Sequence, residues 1–255
     1  MMGTLVSAYR RAQSIAVPER ALMRRFIAAR IPASGLPPGL CLDVGAGTAP
    51  FAGALAEAAP RSRHLAIDLI RDDCTAVSAD AAALPFADGA AALVCAFQVL
   101  AHLPDPRRAL AEAHRVLAPG GCLLVSYPFL CPEGRSRDLW RWTRPGMEAE
   151  LRAAGFTPLA HETQGGSLTY LTALLAQVPG RLLIAHRRGW RAGRGPVDAL
   201  SVGLAFLLSL PFHLLGFAAL ALDRLAGAPA FYIGGMILAR KTDGGGANQG
   251  GIGDG

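Results

Sequence analysis

The chain has 255 residues, of which 52% are hydrophobic, and its formal net charge at pH 7 is +6. This length is sufficient for one large α/β domain with a hydrophobic core, with or without an accessory segment. The five cysteines are odd in number and form no C-x-x-C pair, so the sequence predicts neither a disulfide framework nor a metal site. Because the arginines are scattered along the chain, no nucleic-acid partner is expected.

The N-terminal residues 1–38 are predicted to form a helical arm over 4–31, followed by the Pro- and Gly-rich linker "IPASGLPPG". The first twenty residues contain no continuous apolar stretch followed by a small-residue cleavage site. They therefore do not resemble a secretory signal, and a cytoplasmic protein is expected.

The central part of the chain alternates short apolar runs with helical patterns, which is typical of a parallel sheet built from βαβ units. Asp105, Pro106 and the glycines at 120 and 121 mark the ends of a helix over 106–118. The other predicted helices are 49–58 and 144–156, and the predicted strands are 40–45, 63–69, 75–79, 91–98, 121–127, 156–162 and 231–241.

The stretch "CLDVGAGTAPF" (41–51) places Asp43 at the end of the first strand, ahead of Gly45 and Gly47. Such a loop lets a ligand approach the backbone closely at the start of the next helix. A dinucleotide site would carry a third glycine where this chain has Pro50, and a phosphate loop would end in Gly-Lys-Ser/Thr. A nicotinamide dehydrogenase is therefore disfavoured, although the two glycines alone are also compatible with a simple tight turn.

Two further acids end the next two predicted strands. Asp68 ends the second strand, where a carboxylate can accept hydrogen bonds from both hydroxyls of a ribose. Asp80, followed by Ala81, ends the third strand, and "FQVLAHLPDP" follows the fourth. These segments are expected at the same edge of the sheet, where they would complete a nucleoside pocket.

Taken in order, these motifs together with "LPF", "APGG" and "AAGF" resemble the class I S-adenosylmethionine-dependent methyltransferases, in particular the small bacterial type with a similar loop after the fourth strand. The resemblance covers residues 40–160 and resumes at 231–241. It implies a doubly wound, mostly parallel seven-stranded Rossmann-like sheet, with an apolar helical insertion before the last strand. Ala49 departs from the family, which often has a third glycine at this position.

The resemblance also implies S-adenosylmethionine as the cofactor and assigns its contacts. Asp43, Gly45 and Gly47, with the intervening Ala46, would surround the methionine moiety. Asp68 with Leu69 would hold the ribose, Asp80 with Ala81 the adenine, and Gln98 would lie beneath the sulfonium.

Candidate catalytic and acceptor-binding residues follow the fourth and fifth strands. His102 is a possible general base, because histidine titrates near neutrality, or it caps or orients the helix at 106–118. Tyr127 is a second catalytic candidate. Trp140 and Arg141 of "DLWRWT" are candidates for binding the acceptor, their alternative roles being a packed lid and a surface charge.

The insertion contains 24 consecutive residues without Asp, Glu, Lys or Arg at 199–222. One hypothesis is a monotopic or re-entrant hairpin at the inner face of a membrane, broken at Pro211 and using 168–185 as its partner. Arginines at 187, 188, 191 and 194 would then contact anionic headgroups. The alternative is a buried helical pair, a dimer interface or a cover for a hydrophobic substrate.

These observations predict four regions: the arm and linker (1–38), a methyltransferase core (39–163 with 229–241), the insertion (164–228) and a disordered Gly-rich tail (242–255). The predicted activity is methyl transfer to a small or lipid-linked acceptor by in-line displacement. The alternative function is a membrane-associated, methyltransferase-like binding or scaffold protein without turnover.

Overall fold

The computed structural model describes residues 18–71, 73–131, 137–180, 199–225 and 231–242. Its strands are β1 Leu40–Val44, β2 Arg63–Asp68, β3 Val77–Ser78, β4 Ala91–Phe97, β5 Leu117–Pro128, β6 Phe156–Thr163 and β7 Gly234–Lys241. Its helices are α1 Pro18–Ala33, α2 Ala52–Ala58, α3 Pro106–Val116, α4 Arg144–Ala153, α5 Ser167–Gly180 and α6 Ala199–Asp223.

The seven strands form one sheet in the order β3-β2-β1-β4-β5-β7-β6, which confirms the predicted fold class. Strand β1 is parallel to both β2 and β4, and β4 is parallel to β5. From β1 the chain first adds β2 and β3 on one side of the sheet and then adds β4 on the other side. The strand order therefore reverses between β1 and β4. In open parallel sheets, ligands bind at the carboxyl ends of the strands at such a switch point.

Helix α3 begins with the predicted capping but ends at Val116, two residues before the predicted end, and the glycines at 120 and 121 lie in β5 instead of after the helix. The Asp105 carboxylate accepts hydrogen bonds from the amides of Arg107 and Arg108, and Pro106 occupies the first turn. Strand β5, however, begins at Leu117, four residues before the predicted start. Leu117 is fully buried and pairs with Ala91, so tertiary pairing extends the strand through the "APGG" segment.

Other predicted boundaries were wrong where the backbone enters the left-handed region. Helix α2 begins at Ala52 rather than at residue 49, because Ala49 has φ +47°. Strand β4 ends before Gln98, which has φ +58°, and α4 ends before Gly155, which has φ +83°. Left-handed residues cannot continue a regular helix or strand.

The described residues fall into two compact units. The first, the core unit, lies within Ala28–Tyr127, Arg135–His161 and Ile237–Gly255. The second, the hairpin unit, lies within Met1–Ile27, Pro128–Gly134 and Glu162–Met236. The described part of the predicted arm is α1, while residues 1–17 and most of the predicted tail lie outside the described residues.

In the hairpin unit, α5 and α6 pack against each other, so the segment after residue 167 is a helical partner of the apolar run. The predicted break at Pro211 was wrong, since α6 continues through this proline to Asp223. A proline removes one backbone N–H donor, and the contacts of a 25-residue helix compensate for that local loss. Among the residues described, no helix has the length and hydropathy of a membrane span.

Candidate functional site

The loop after β1 is held against the end of β2 by three backbone amides. The amides of Gly45 and Ala46 donate to the Ile67 carbonyl at 2.7 and 3.0 Å, and the Gly47 amide donates to Asp68 Oδ2 at 2.9 Å. Gly45 has φ +68°, and a Cβ there would lie 2.4 Å from Val99 Cγ2. Only glycine therefore fits at this position without a shift of its neighbours.

Gly47 also has a left-handed backbone, with φ +52°, but a Cβ there would have no heavy atom within 4 Å. Its Cα therefore faces open space in the described structure. This open side of the loop leaves room for a ligand to approach the backbone.

Asp43, at the end of β1, is only 6% exposed. Both of its carboxylate oxygens are buried, and neither has a hydrogen-bond partner among the described residues. Burial, with smaller contributions from Cys41 and Asp68, raises the pKa of Asp43 to about 7, although His64 opposes the shift. A buried carboxylate without partners is costly, so this position favours a cationic or hydrogen-bond-donating ligand.

Asp68 is partly exposed at the end of β2. Besides Gly47, its carboxylate accepts a hydrogen bond from the Ile70 amide at 3.0 Å, so the side chain is fixed from two sides. A carboxylate oxygen can accept a further hydrogen bond, which leaves Asp68 able to bind hydroxyl groups. The following Leu69 is 64% exposed, so a ligand at this edge could cover it.

Asp80 is exposed just beyond β3, where its Oδ1 accepts a hydrogen bond from the Ala82 amide at 2.9 Å. Ala81 is partly buried and packs on the hydrophobic core. The turn thus presents a carboxylate beside a small apolar side chain, a combination that suits the amino group and ring of a base.

Gln98 directly follows β4 and has a left-handed backbone, with φ +58°. Its amide donates to the carbonyl and to Oγ of Ser126, at 3.1 and 3.0 Å. These bonds join the ends of β4 and β5 and fix the backbone of Gln98 at the switch point.

His102 is exposed in the short 3₁₀ turn Leu100–His102. Its Nδ1 lies 2.9 Å from the Arg137 carbonyl oxygen, which can only accept a hydrogen bond. Nδ1 therefore carries the proton, and the neutral ring keeps a lone pair on Nε2. Exposure and this tautomer are both compatible with a general base.

The tryptophans of "DLWRWT" stack on each other, with ring centroids 6.2 Å apart. Trp140 is 41% exposed and donates from Nε1 to the Leu103 carbonyl at 2.9 Å, whereas Trp142 is only 8% exposed. Arg141 donates to the Asp138 carboxylate, with Nη2 2.6 Å from Oδ2. An acidic acceptor would have to compete with Asp138 for Arg141.

Tyr127 belongs to a buried hydrogen-bonded relay that the sequence analysis missed. Its hydroxyl lies 2.6 Å from His161 Nε2, and His161 Nδ1 lies 2.7 Å from Glu148 Oε1. The hydrogen bond from His161, aided by Arg152, lowers the pKa of Glu148, while burial lowers that of His161. Since the ionised Glu148 can only accept, Nδ1 carries the proton and Tyr127 donates to Nε2.

Tyr127 is fully buried, so its hydroxyl serves this relay rather than a solvent-facing wall. No motif spacing could have revealed the relay, because its members lie on β5, α4 and β6 and meet only in the folded protein.

Within the core unit, the predicted cofactor residues lie at the carboxyl ends of β1 and β2 and on the loops that follow β1 to β4. Their carboxylates form an acidic edge, which would repel a pyrophosphate and attract a ligand with an ammonium group. The buried, partnerless Asp43 and the open space beside Gly47 fit S-adenosylmethionine, whose amino acid end carries such a group.

Comparison with known proteins supports this interpretation. Residues 42–125 match the model of a family described as "Methyltransferase domain". The chain is 36% identical over 149 residues to malonyl-[acyl-carrier protein] O-methyltransferase of Methylococcus capsulatus, an alignment that covers 49% of this chain and 54% of that protein. The chain spans about half the length of the curated relatives it matches first.

Two solved structures share the fold. The [4+2]-cyclase SpnF is 25% identical, with a TM-score of 0.56 over 89% of this chain and 81% of that one. The 1,6-didemethyltoxoflavin-N1-methyltransferase of Burkholderia thailandensis, solved with S-adenosylhomocysteine, is 18% identical, with a TM-score of 0.52 over 95% of this chain and 87% of that one. At 18% identity, the second similarity concerns the fold alone.

Proposed function

We propose that the chain transfers a methyl group from S-adenosylmethionine to an acyl-linked or other lipid-linked acceptor, a proposal supported by the match of residues 42–125 to the family described as "Methyltransferase domain". The observation that carries the proposal is Asp43, a buried carboxylate with no hydrogen-bond partner among the described residues, next to an open glycine loop. An ammonium group would satisfy this carboxylate by charge and by hydrogen bonds.

The remaining cofactor contacts follow from the arrangement of the strand ends. Asp68 is fixed by the amides of Gly47 and Ile70 and would accept hydrogen bonds from the ribose hydroxyls. Asp80 would accept a hydrogen bond from the adenine amino group, and Ala81 and the exposed Leu69 would make apolar contacts with the cofactor. The turn at Gln98 would lie next to the sulfonium and its methyl group. When bound, S-adenosylmethionine supplies an electrophilic methyl group on a sulfonium.

Proton removal from the acceptor would fall to His102, whose Nε2 keeps its lone pair while Nδ1 is bound to the Arg137 carbonyl. Tyr127, the second candidate, is fully buried with its hydroxyl donating to His161, so it would act only by positioning and not by taking the proton. Trp140, which is 41% exposed, would stack on the acceptor, and Arg141 would hold an acidic group on it. In-line transfer depends chiefly on positioning, so a base is needed only for an acceptor that arrives protonated.

The acceptor class rests on the relative named malonyl-[acyl-carrier protein] O-methyltransferase, together with the apolar character of α5 and α6. A carboxylate acceptor is already ionised at neutral pH, whereas a hydroxyl must lose a proton. Under the first chemistry, His102→Gln should leave the rate nearly unchanged. Under the second, we expect the rate to fall about a hundredfold or more.

The experiment that tests the cofactor is calorimetric titration of the full chain with S-adenosylhomocysteine, with NADH as a control ligand. We expect saturable binding of the first ligand alone. Asp68→Ala should weaken binding by about tenfold or more, because charge-assisted hydrogen bonds are lost. Asp73→Asn, which neutralises an exposed loop acid, is the matched control and should bind normally.

Turnover is then measured as transfer of a labelled methyl group to acyl-carrier-protein thioesters and to a lipid extract. A folded protein that binds neither ligand would overturn the proposal at the cofactor step. Binding without transfer to any acceptor would favour a second function, a methyltransferase-like protein that does not methylate. The similarity to the [4+2]-cyclase SpnF is the observation that supports this second candidate.

A further inference from the structure

The outward side chains of the α5–α6 hairpin are large and apolar. They are between 39% and 63% exposed and form the apolar face, which consists of Leu168, Leu171, Leu175, Val178, Leu204, Leu207, Leu208, Leu214, Leu215, Phe217 and Leu222. Single exposed leucines are common on soluble proteins, but eleven large apolar side chains on two adjoining helices form a patch that is typical of a binding surface.

The buried side chains of the same two helices are small or polar. Thr169 and Ser209 are fully buried, as is Ala205, and His213 is 6% exposed. His213 donates from Nδ1 to the Ser209 carbonyl one turn earlier, at 2.8 Å, so its polar edge is satisfied within the helix. The hairpin therefore has small and polar groups inside and leucines outside.

This distribution is the reverse of that in a water-soluble helical pair. In lipid, burial between helices brings no hydrophobic gain, so small residues pack the interface and large apolar residues face the hydrocarbon. A protein partner would ordinarily meet a polar rim around an apolar centre. Here no Asp, Glu, Lys or Arg occurs in 167–180 or in 199–222.

Hydrogen bonds to Asp223 join the end of α6 to the start of α5. The Asp223 carboxylate, at the end of α6, accepts hydrogen bonds from the amides of Gly166, Leu168 and Thr169 at 2.8–3.0 Å, and from Thr169 Oγ1 at 2.7 Å. Burial raises its pKa, but these bonds outweigh it and lower the pKa overall. The end of α6 is thereby fixed to the start of α5, which holds both helices in one apolar face.

The charges in the sequence next to the hairpin favour a membrane with anionic headgroups. The stretch between α5 and α6, residues 181–198, carries five arginines and one aspartate in the sequence, and the exposed Arg224 follows α6. An excess of cationic residues next to an apolar segment of the sequence favours anionic headgroups. We propose that the apolar face of the α5–α6 hairpin binds the surface of an anionic lipid bilayer.

This proposal does not depend on methyl transfer, and its test uses binding alone. The full chain is sedimented with vesicles of phosphatidylcholine, or of phosphatidylcholine and phosphatidylglycerol in equal parts. We expect strong binding to the mixed vesicles and weaker binding to the neutral ones. The double variant Leu207→Glu/Leu214→Glu should lower the partition coefficient by about tenfold or more, because two apolar side chains on the face are replaced by anionic ones.

Leu159→Glu changes a leucine that is 45% exposed outside the hairpin and should bind vesicles like the wild type. Circular dichroism and S-adenosylhomocysteine titration establish that each variant is folded. Equal binding of the wild type and the double variant would overturn the proposal, as would failure of the folded wild type to bind mixed vesicles. In the latter case, a dimer that the double variant converts to a monomer would assign the face to a second copy.

Discussion

The core unit and the hairpin unit distribute polarity in opposite ways. In the core unit, β4 is buried along almost its whole length, and the carboxylates of Asp68 and Asp80 are partly or fully exposed at or just beyond the carboxyl ends of β2 and β3. In the hairpin, threonine, serine and histidine are buried while leucines face outward. The acidic edge of the core unit is suited to a small cationic ligand, whereas the apolar face is suited to an extended apolar partner.

This contrast shows that overall hydrophobicity says little about function until the buried and exposed faces are known. A chain that is 52% hydrophobic could simply have a large core. In this chain, part of that hydrophobicity lies on an outward face, and the few buried polar groups mark special positions in both units. Five predictions test how far the contrast holds, beginning with the largest expected effect of a substitution.

Gly45→Ala should be the most damaging change in the core unit. The new Cβ would lie 2.4 Å from the stiff Val99 side chain at φ +68°, so overpacking adds to left-handed strain and unfolding should become easier by about 3 kcal/mol. Gly47→Ala meets strain without a clash, and we expect a loss of about 1 kcal/mol. Urea denaturation of both variants measures the difference, and equal losses would contradict the role of close packing at Gly45.

Asp223→Ala should loosen the hairpin without affecting the core unit. Four donors lose their shared acceptor, so local stability at the start of α5 should fall by about 2 kcal/mol. Hydrogen exchange should accelerate for the amides of Leu168 and Thr169 and stay unchanged for those of β4. Asp223→Asn, which keeps one acceptor oxygen, should show a smaller effect, and faster exchange throughout β4 would argue against separate responses of the two units.

Ligand binding should depend on pH through Asp43. Its pKa of about 7 means that the carboxyl is mostly protonated at pH 6, whereas an ammonium ligand requires the ionised form. The affinity for S-adenosylhomocysteine should therefore rise by about fivefold to tenfold between about pH 6 and 7.5. Asp43→Asn should bind more weakly and remove this dependence, whereas an unchanged pH profile in the variant would exclude Asp43 as its source.

In the ligand-free protein, the raised pKa of Asp43 should lower the stability of the folded state as the pH rises, whereas ligand binding becomes stronger. The pKa of Asp43 is raised from 3.8 to about 7 on folding, so the folded state holds this proton more tightly than the unfolded state. The contribution of Asp43 to stability is complete below about pH 4 and is lost as the pH rises through 7. Comparing urea midpoints of the wild type and Asp43→Asn across this range measures that contribution.

Ala49→Gly should have the smallest effect and should stabilise the protein. Ala49 adopts φ +47°, a left-handed conformation that costs a residue with a Cβ about 1–2 kcal/mol. Glycine avoids this cost, but part of the gain is lost because glycine gives the unfolded chain more conformational entropy. A net gain of about 0.5 kcal/mol is expected. Ala56→Gly, in the interior of α2, should instead destabilise by about 1 kcal/mol, so the two substitutions should differ in sign in the same melting experiment.

The sequence was sufficient to predict the fold class and the residues expected at the acidic edge. The order of apolar runs and helices specified a parallel sheet, because buried strands and amphipathic helices carry different hydrophobic periods. Asp43, Asp68 and Asp80 were recognisable because each lies at or just after the carboxyl end of a predicted strand, and parallel strands bring their carboxyl ends to one edge. Asp105 and Pro106 likewise determined the start of α3 by local chemistry alone.

Only the tertiary structure decided the features that depend on contacts between distant segments. The early start of β5 follows from the pairing of Leu117 with Ala91, and the Tyr127–His161–Glu148 relay joins three elements. The sequence of α6 is apolar all around, so its periodicity could not indicate which side faces α5. That choice rests on the packing of small side chains and on the Asp223 hydrogen bonds, which exist only once the two helices meet.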